Sequence, residues 1–310
     1  MKIAFFGNGN RATVVLKHLL LNKYDIGQVI TNNNESKIEE DSIKSLSHEF
    51  SVPIIFTENP NSHSIYSELK RKGFDLFLLG GYSKILQERT ISIPKFFTIN
   101  LHAGKLPNYR GSSPLNWALI NGEKEFTITI IKVNKGIDEG HILKEKSFKI
   151  AINYTINDLH RIANENFPIL LDELLHEIKN ESYTLKEQEN HLSAYYPLRF
   201  PNDGFILFDE DNCEIVHNKI RALTKPYPCA FSFYNSKKVY FLKSKLLSEP
   251  FYGIPGKIYK INKKGFLVCC KDKSLWITKY EFEADNQEDS YLRRYGQFST
   301  IKSIILNRMN

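Results

Sequence analysis

Residues 98–143 read TINLHAGKLPNYRGSSPLNWALINGEKEFTITIIKVNKGIDEGHIL, and the rest of the chain is organised around them. Asn100 and His102 alternate with Ile99 and Leu101. At the end of a strand, a period of two puts the Asn and His on one face and the apolar pair on the other. Lys105-Leu106-Pro107 closes that strand, because proline cannot donate to a ladder. Tyr109 to Pro114 is a turn-rich crossing. Leu115 to Asn121 is expected to form a short helix closed by Gly122. The β-branched run Phe126 to Val133 suits another strand. Lys135 to Gly140 then makes a loop that carries Asp138.

Upstream, Lys2 to Gly7 (KIAFFG) is an apolar run ending in glycine, followed by Asn8-Gly9-Asn10-Arg11 and the amphipathic Ala12 to Leu21. Strand, loop and helix in that order open a doubly wound α/β sheet. Gly7 and Gly9 lack the rest of G-x-G-x-x-G, so a nicotinamide dinucleotide is not expected. Strands at Ile26–Thr31, Val52–Phe56 and Phe74–Gly80 alternate with helices at Asp41–Phe50 and His63–Lys72. That alternation predicts a parallel sheet with helices on both faces.

Downstream, Asn157 to Lys179 is a long amphipathic helix that closes the first domain, with His160 and His176 at its surface and no metal-ligand spacing. Tyr195 to Gly204 reads as a linker. The expected division is a Rossmann-like domain over residues 1–198 and a smaller domain over 199–310. In the latter a helix at Glu214–Leu223 precedes short strands such as Lys238–Lys243 and Gly265–Cys270, which suit an OB-like β-barrel.

The chain has 310 residues, 42% hydrophobic and 25% charged, which fits a globular protein of two domains. No stretch reaches the roughly 18 apolar residues of a membrane span. The start MKIAFFGNGNR has no basic segment leading into a long apolar one, so no signal peptide and a cytoplasmic location are expected. The four cysteines form no C-x-x-C pattern and are expected to be buried free thiols. Net charge is +7, and residues 200–310 carry 18 Lys and Arg against 12 Asp and Glu. That excess suits a phosphate-bearing partner, or simply a solvated basic surface.

N-x-H, then L-P-x-Y-R-G-x-x-P, then D-x-G beginning 36 residues beyond the His, resembles the folate-dependent formyltransferase family. The segment Pro114 to Glu123 (PLNWALINGE) is similar to the branch that formylates nucleotide-linked amino sugars, in particular the formyltransferase domain of the lipid A aminoarabinose pathway. The likeness covers most of the chain and is weakest over roughly its last thirty residues. It implies N10-formyltetrahydrofolate as cosubstrate, no metal, and Asn100, His102 and Asp138 as the catalytic residues.

Formyl transfer to an amine needs a neutral nucleophile, an oxyanion donor and a place for the amine proton. An imidazole titrates near neutrality and suits the proton. Asn100 suits the oxyanion, and Asp138 suits the orientation of His102. Arg110, with Gly111, is expected to support the pocket wall by meeting Asp138 or nearby carbonyls, and Trp117 to pack the short helix.

The resemblance further implies folate contacts at Gly81, Tyr82 and Leu86, and at Gly136 and Ile137. A tight turn with Leu86 in the core is the bland alternative for the first loop. Asn10 and Arg11, with Asn8, are placed to meet the substrate's pyrophosphate or sugar, unless the loop is merely solvated. Arg199 and Asp203 match positions near the nucleotide sugar, or form a structural linker pair. Tyr227 lies under a nucleobase or wedges the core.

The expected partner is therefore a dTDP- or UDP-linked 4-amino sugar, with no nucleic acid, no membrane and a homodimer left open. Initiator-tRNA formylation is the first alternative. It is opposed by the acidic stretch Asn32 to Lys44, containing Glu35, Glu39, Glu40 and Asp41, which repels phosphates. The second is a formyl-folate hydrolase, whose additional N-terminal domain has no counterpart before Met1.

Overall fold

Apolar residues on both faces of Lys2–Gly7 (β1) make it a central strand, and four more strands run parallel to it, two on each side. They are Asp25–Thr31 (β2), Ile54–Phe56 (β3), Leu76–Gly80 (β4) and Phe97–His102 (β5). The computed structural model describes residues 1–32, 37–283 and 291–301, with the side chains of 37–42 left undescribed. The acidic stretch around Glu35, Glu39, Glu40 and Asp41 lies outside the described side chains.

Helices Gly9–Leu21 (α1), Lys37–Glu49 (α2), His63–Lys72 (α3) and Glu88–Ile91 (α4) separate the strands. Ala4 and Phe6 share a core cluster with Ile65 and Leu69 of α3, whereas Phe5, between them in sequence, lies against Ala12 of α1 beside Gly7. Period-two alternation thus covers both faces of β1 with helices.

After β5 come Arg110–Gly111 (β6), Pro114–Ile120 (α5), Glu125–Lys132 (β7), Ile142–Lys149 (β8) and Ile156–Lys179 (α6). The sheet order is β3-β2-β1-β4-β5-β7-β8. Pairing of β5 with β7 is antiparallel, which corrects the expectation of an all-parallel sheet. A parallel return requires a crossover packed on the sheet. The intervening α5 groups instead with another compact unit.

The chain forms two such units. One comprises Met1–Gly111, Phe126–Phe148 and His160–Tyr196, and the other Ser112–Glu125, Lys149–Leu159 and Pro197–Asn310. In the first, Tyr195–Tyr196 (β9) pairs in parallel with β6.

The second unit contains Cys213–Ala222 (α7), capped by the Asn212 side chain, and tied to α5 by Asn116, whose amide donates to the Ala222 carbonyl at 2.7 Å. Its five strands are Ala230–Tyr234 (β10), Lys237–Leu246 (β11), Ile258–Asn262 (β12), Gly265–Cys269 (β13) and Ser274–Phe282 (β14). They pair antiparallel in the order β10-β11-β14-β13-β12. Among the described residues the ladder does not close into the expected barrel. Isolated bridges from Phe298 to Tyr234 and from Gln297 to Lys257 reach its two edges.

Phe208, Phe241, Phe266 and Phe298 pack as one buried group, with Phe298 centroids 5.3–5.6 Å from the other three. All four cysteines are buried and free, and burial pushes the Cys213 thiol up to about 11. No helix among the described residues is long and apolar enough to cross a membrane.

Candidate active site

Asn100 and His102 occupy the carboxyl end of β5, where Asn100 pairs with Leu79 and Ile131 and His102 with Thr129. Their separation by two residues puts both side chains on one face. The Thr129 hydroxyl donates to the Gly104 carbonyl at 2.8 Å and fixes the backbone just past the His. His102 is 6% exposed. Its Nε2 lies 2.6 Å from the Tyr109 carbonyl, which only accepts, so Nε2 carries the hydrogen. In the neutral ring Nδ1 then holds the lone pair. It faces Oδ2 of Asp138 at 3.5 Å.

Asp138 adopts a left-handed backbone with φ of 53°, a conformation that Asp tolerates better than most residues. Its carboxylate gathers the site. Oδ1 accepts from Asn100 Nδ2 at 3.3 Å, and Oδ2 accepts from the Gly111 N–H at 3.0 Å. The side chain is only 12% exposed, so its field on His102 is weakly screened.

Gly111 has φ of 93°, and a Cβ there would stand 2.4 Å from the Tyr196 carbonyl oxygen. Glycine is required at this crossing of β6 and β9. Arg110 is 2% exposed and meets Gln188, Asn190, Tyr195 and, at 3.9 Å, Glu139. Its guanidinium meets these side chains rather than the expected Asp138.

Two family models match the chain: "Formyl transferase" over residues 1–174 and "Formyl transferase, C-terminal domain" over residues 200–292. The chain belongs to the formyl transferase family. The bifunctional polymyxin resistance protein ArnA of Wigglesworthia glossinidia brevipalpis is 34% identical over 92% of this formyltransferase, which spans 44% of that protein's length. Methionyl-tRNA formyltransferase of Caldanaerobacter subterraneus subsp. tengcongensis is 31% identical, over 93% of this chain and 94% of that one. Among solved structures, the N-formyltransferase of Helicobacter canadensis, in complex with folinic acid and dTDP-3-aminofucose, shares the fold. Its TM-score is 0.71 at 22% identity, over 90% of this chain and 100% of that one. WlaRD, a sugar 3N-formyl transferase with dTDP and 5-N-formyl-THF, has a TM-score of 0.69 at 21% identity, over 92% and 99%.

Of the other residues singled out, Gly136 and Ile137 share the Asp138 loop, and the rest lie on other segments of the chain. Gly81, with φ of 70°, and Tyr82 follow β4, and Tyr82 packs edge-on against Phe6. Leu86 is 4% exposed in the core cluster, so its side chain packs as the bland reading has it. Gly136 donates its N–H to Asn134, and Ile137 is exposed beside Asp138.

Asn8 is buried, and its amide oxygen accepts from the Thr31 hydroxyl at 2.7 Å. Its Nδ2 donates to Ser83 at 3.3 Å, so Asn8 ties together the loops after β1, β2 and β4. Asn10 is exposed, and the Arg11 guanidinium lies 5.1 Å from the Phe167 ring centroid. His160 is more enclosed than a helix-surface residue. Burial, and then the Arg11 charge, lowers it to about 4.

Within the second unit, the Arg199 guanidinium lies over Trp117 at 4.9 Å, and burial lowers its pKa while the nearby Asp203 opposes this. Asp203 accepts from the Phe200 N–H at 2.7 Å. Tyr227 is half-buried, its N–H donating to Thr224.

Sequence reasoning missed Gln188. Its amide nitrogen donates to the Asp138 and Gly140 carbonyls, at 2.8 and 2.6 Å. Nothing in its local sequence marks it.

Proposed function

We propose that this formyltransferase moves the formyl group of N10-formyltetrahydrofolate onto the amine of a nucleotide-linked 4-amino sugar. One observation carries the chemistry: Asn100, His102 and the Gly111 amide converge on the partly buried Asp138 carboxylate.

An amide nitrogen has two hydrogens. Asn100 directs one at Asp138, and the other is the donor for the formyl oxygen as it becomes an oxyanion. The acceptor amine attacks as the neutral species. Its bond to the formyl carbon forms, and the bond from that carbon to N10 breaks. The amine's proton passes to Nδ1 of His102, is held against Asp138, and is returned to N10 as tetrahydrofolate leaves. Preorganised dipoles of this kind supply most of the rate in acyl transfer.

Gly81, Tyr82, Leu86, Gly136 and Ile137 are assigned to the folate, and for Leu86 the main chain is the contact. Asn10, Arg11, Arg199, Asp203 and Tyr227 are assigned to the nucleotide sugar. The sugar acceptor is supported by the 34% identity to the polymyxin resistance protein. The fold shared with enzymes in complex with dTDP or dTDP-3-aminofucose agrees with it. Methionyl-tRNA formylation is the second reading, favoured by a similarity that spans 94% of the Caldanaerobacter enzyme.

Purified protein, formyl-folate and a panel of dTDP- and UDP-linked 4-amino sugars, read by mass spectrometry, test the proposal. A gain of one CO unit on a sugar, absent with His102→Ala, is expected. Formyl-folate consumption without any modified sugar would make the protein a hydrolase instead.

A further inference from the structure

The segment that follows α6 runs back along the Asp138 loop. Lys186 exchanges main-chain hydrogen bonds with Ile142 at 2.9 and 2.8 Å. Two residues on, Gln188 is 6% exposed. Its Nε2 donates to the carbonyls of Asp138 and Gly140, one at each end of the Asp138-Glu139-Gly140 turn. Its Oε1 accepts from Nε and Nη2 of Arg110 at 3.1 and 2.8 Å. Arg110 has no acceptor, so the orientation of the Gln188 amide follows from its partners. Arg110 is itself fixed by Asn190 Oδ1 at 2.7 Å and the Tyr195 hydroxyl at 3.0 Å.

Two features of this arrangement point beyond packing. Asp138 is a non-glycine residue at φ of 53°, and such a backbone persists when its surroundings over-determine it. Gln188 supplies that constraint by holding the Asp138 carbonyl. The same chain of bonds also reaches the carboxylate directly. Arg110 is bonded to Gln188, and its neighbour Gly111 donates its N–H to Asp138 Oδ2.

We propose that Gln188 is a positioning residue, which holds the Asp138 backbone in the conformation that aims its carboxylate at His102 and Asn100. The proposal rests on the assignment of Asn100, His102 and Asp138 as the reacting groups. A merely structural Gln188 would serve only to satisfy the buried Arg110.

Gln188→Glu separates the two roles. Glutamate keeps an acceptor for Arg110, in a charge-assisted bond, but has no donor for either loop carbonyl. Gln188→Met, which lacks both, is the second variant should the first fail to fold. Amide hydrogen exchange at Gly111, whose N–H is covered by the Asp138 carboxylate, needs no substrate. The Arg110 amide, bonded to the Ala194 carbonyl at 3.0 Å, is its internal control.

The expected result is faster exchange at Gly111 with the Arg110 amide still protected. In turnover, kcat falls by roughly 10²-fold with the formyl-folate KM unchanged, the size of effect a ~1 Å misplacement produces. Unchanged exchange at Gly111 overturns the proposal. So does faster exchange with wild-type kcat. If the wild-type protein formylates no acceptor, the functional reading fails while the exchange data still decide whether Gln188 holds Asp138.

Discussion

Oδ1 of Asp138 accepts from Asn100 at 3.3 Å across 38 residues of sequence, and that contact joins the last strand of the parallel run to the loop after β7. The amide and the imidazole on β5 therefore meet the two oxygens of one carboxylate on the loop. His102 is bound at its far nitrogen to a carbonyl, so only Nδ1 is open to proton exchange.

Asn100→Ala should lower kcat by about 10²–10³-fold, the usual consequence of deleting one oxyanion donor. Formyl-folate affinity, measured by titration calorimetry, should change little. A large loss of affinity with kcat preserved would place Asn100 in binding rather than in the reaction.

Gly111→Ala should destabilise the first unit. The new methyl meets the Tyr196 carbonyl oxygen, and φ of 93° is strained for any side chain. The backbone cost alone is about 1–3 kcal/mol. Urea denaturation with the wild type as reference reads it directly.

His160 makes stability depend on pH. Burial and the Arg11 charge lower it to about 4, so between its ordinary value of 6.5 and that point the unfolded chain binds a proton that the folded chain does not. Stability is full above the unfolded value, falls as pH drops toward about 4, and levels off below. The gap corresponds to roughly 3 kcal/mol. His160→Gln should therefore lose less stability than wild type between about pH 7 and about pH 4.5, measured by denaturant titration. Equal losses would show that His160 does not contribute.

Phe298→Ala should cost the second unit about 3–5 kcal/mol, because three other phenylalanines pack against a ring that is 1% exposed. Its loss also removes a side chain from the residue bridging to Tyr234. Near-ultraviolet circular dichroism during unfolding follows that cluster.

Local pattern carried most of the elements. The helix expected at His63–Lys72 has those bounds, since Ser62 caps it and Gly73 follows it. Strand direction was not legible, because alternation along Phe126–Val133 is the same whichever way the chain runs. Barrel closure was equally out of reach, since it depends on which edges meet. Within the site, Asn100 and His102 were readable as an i, i+2 pair. Asp138 became readable through the extended family motif. The Arg110–Gln188 contact spans 78 residues and has no periodic signature, so only the folded chain brings it to view. His160 looked like a surface position because helical spacing does not reveal what packs alongside Arg11.

The most direct test is a side-by-side single-turnover assay in which one preparation, loaded with formyl-folate, meets either a dTDP-linked 4-amino sugar or charged initiator tRNA. The account predicts rapid formylation of the sugar, abolished in the His102→Ala variant, and no transfer to the tRNA. Formylation of the tRNA with the sugar left unmodified would contradict it.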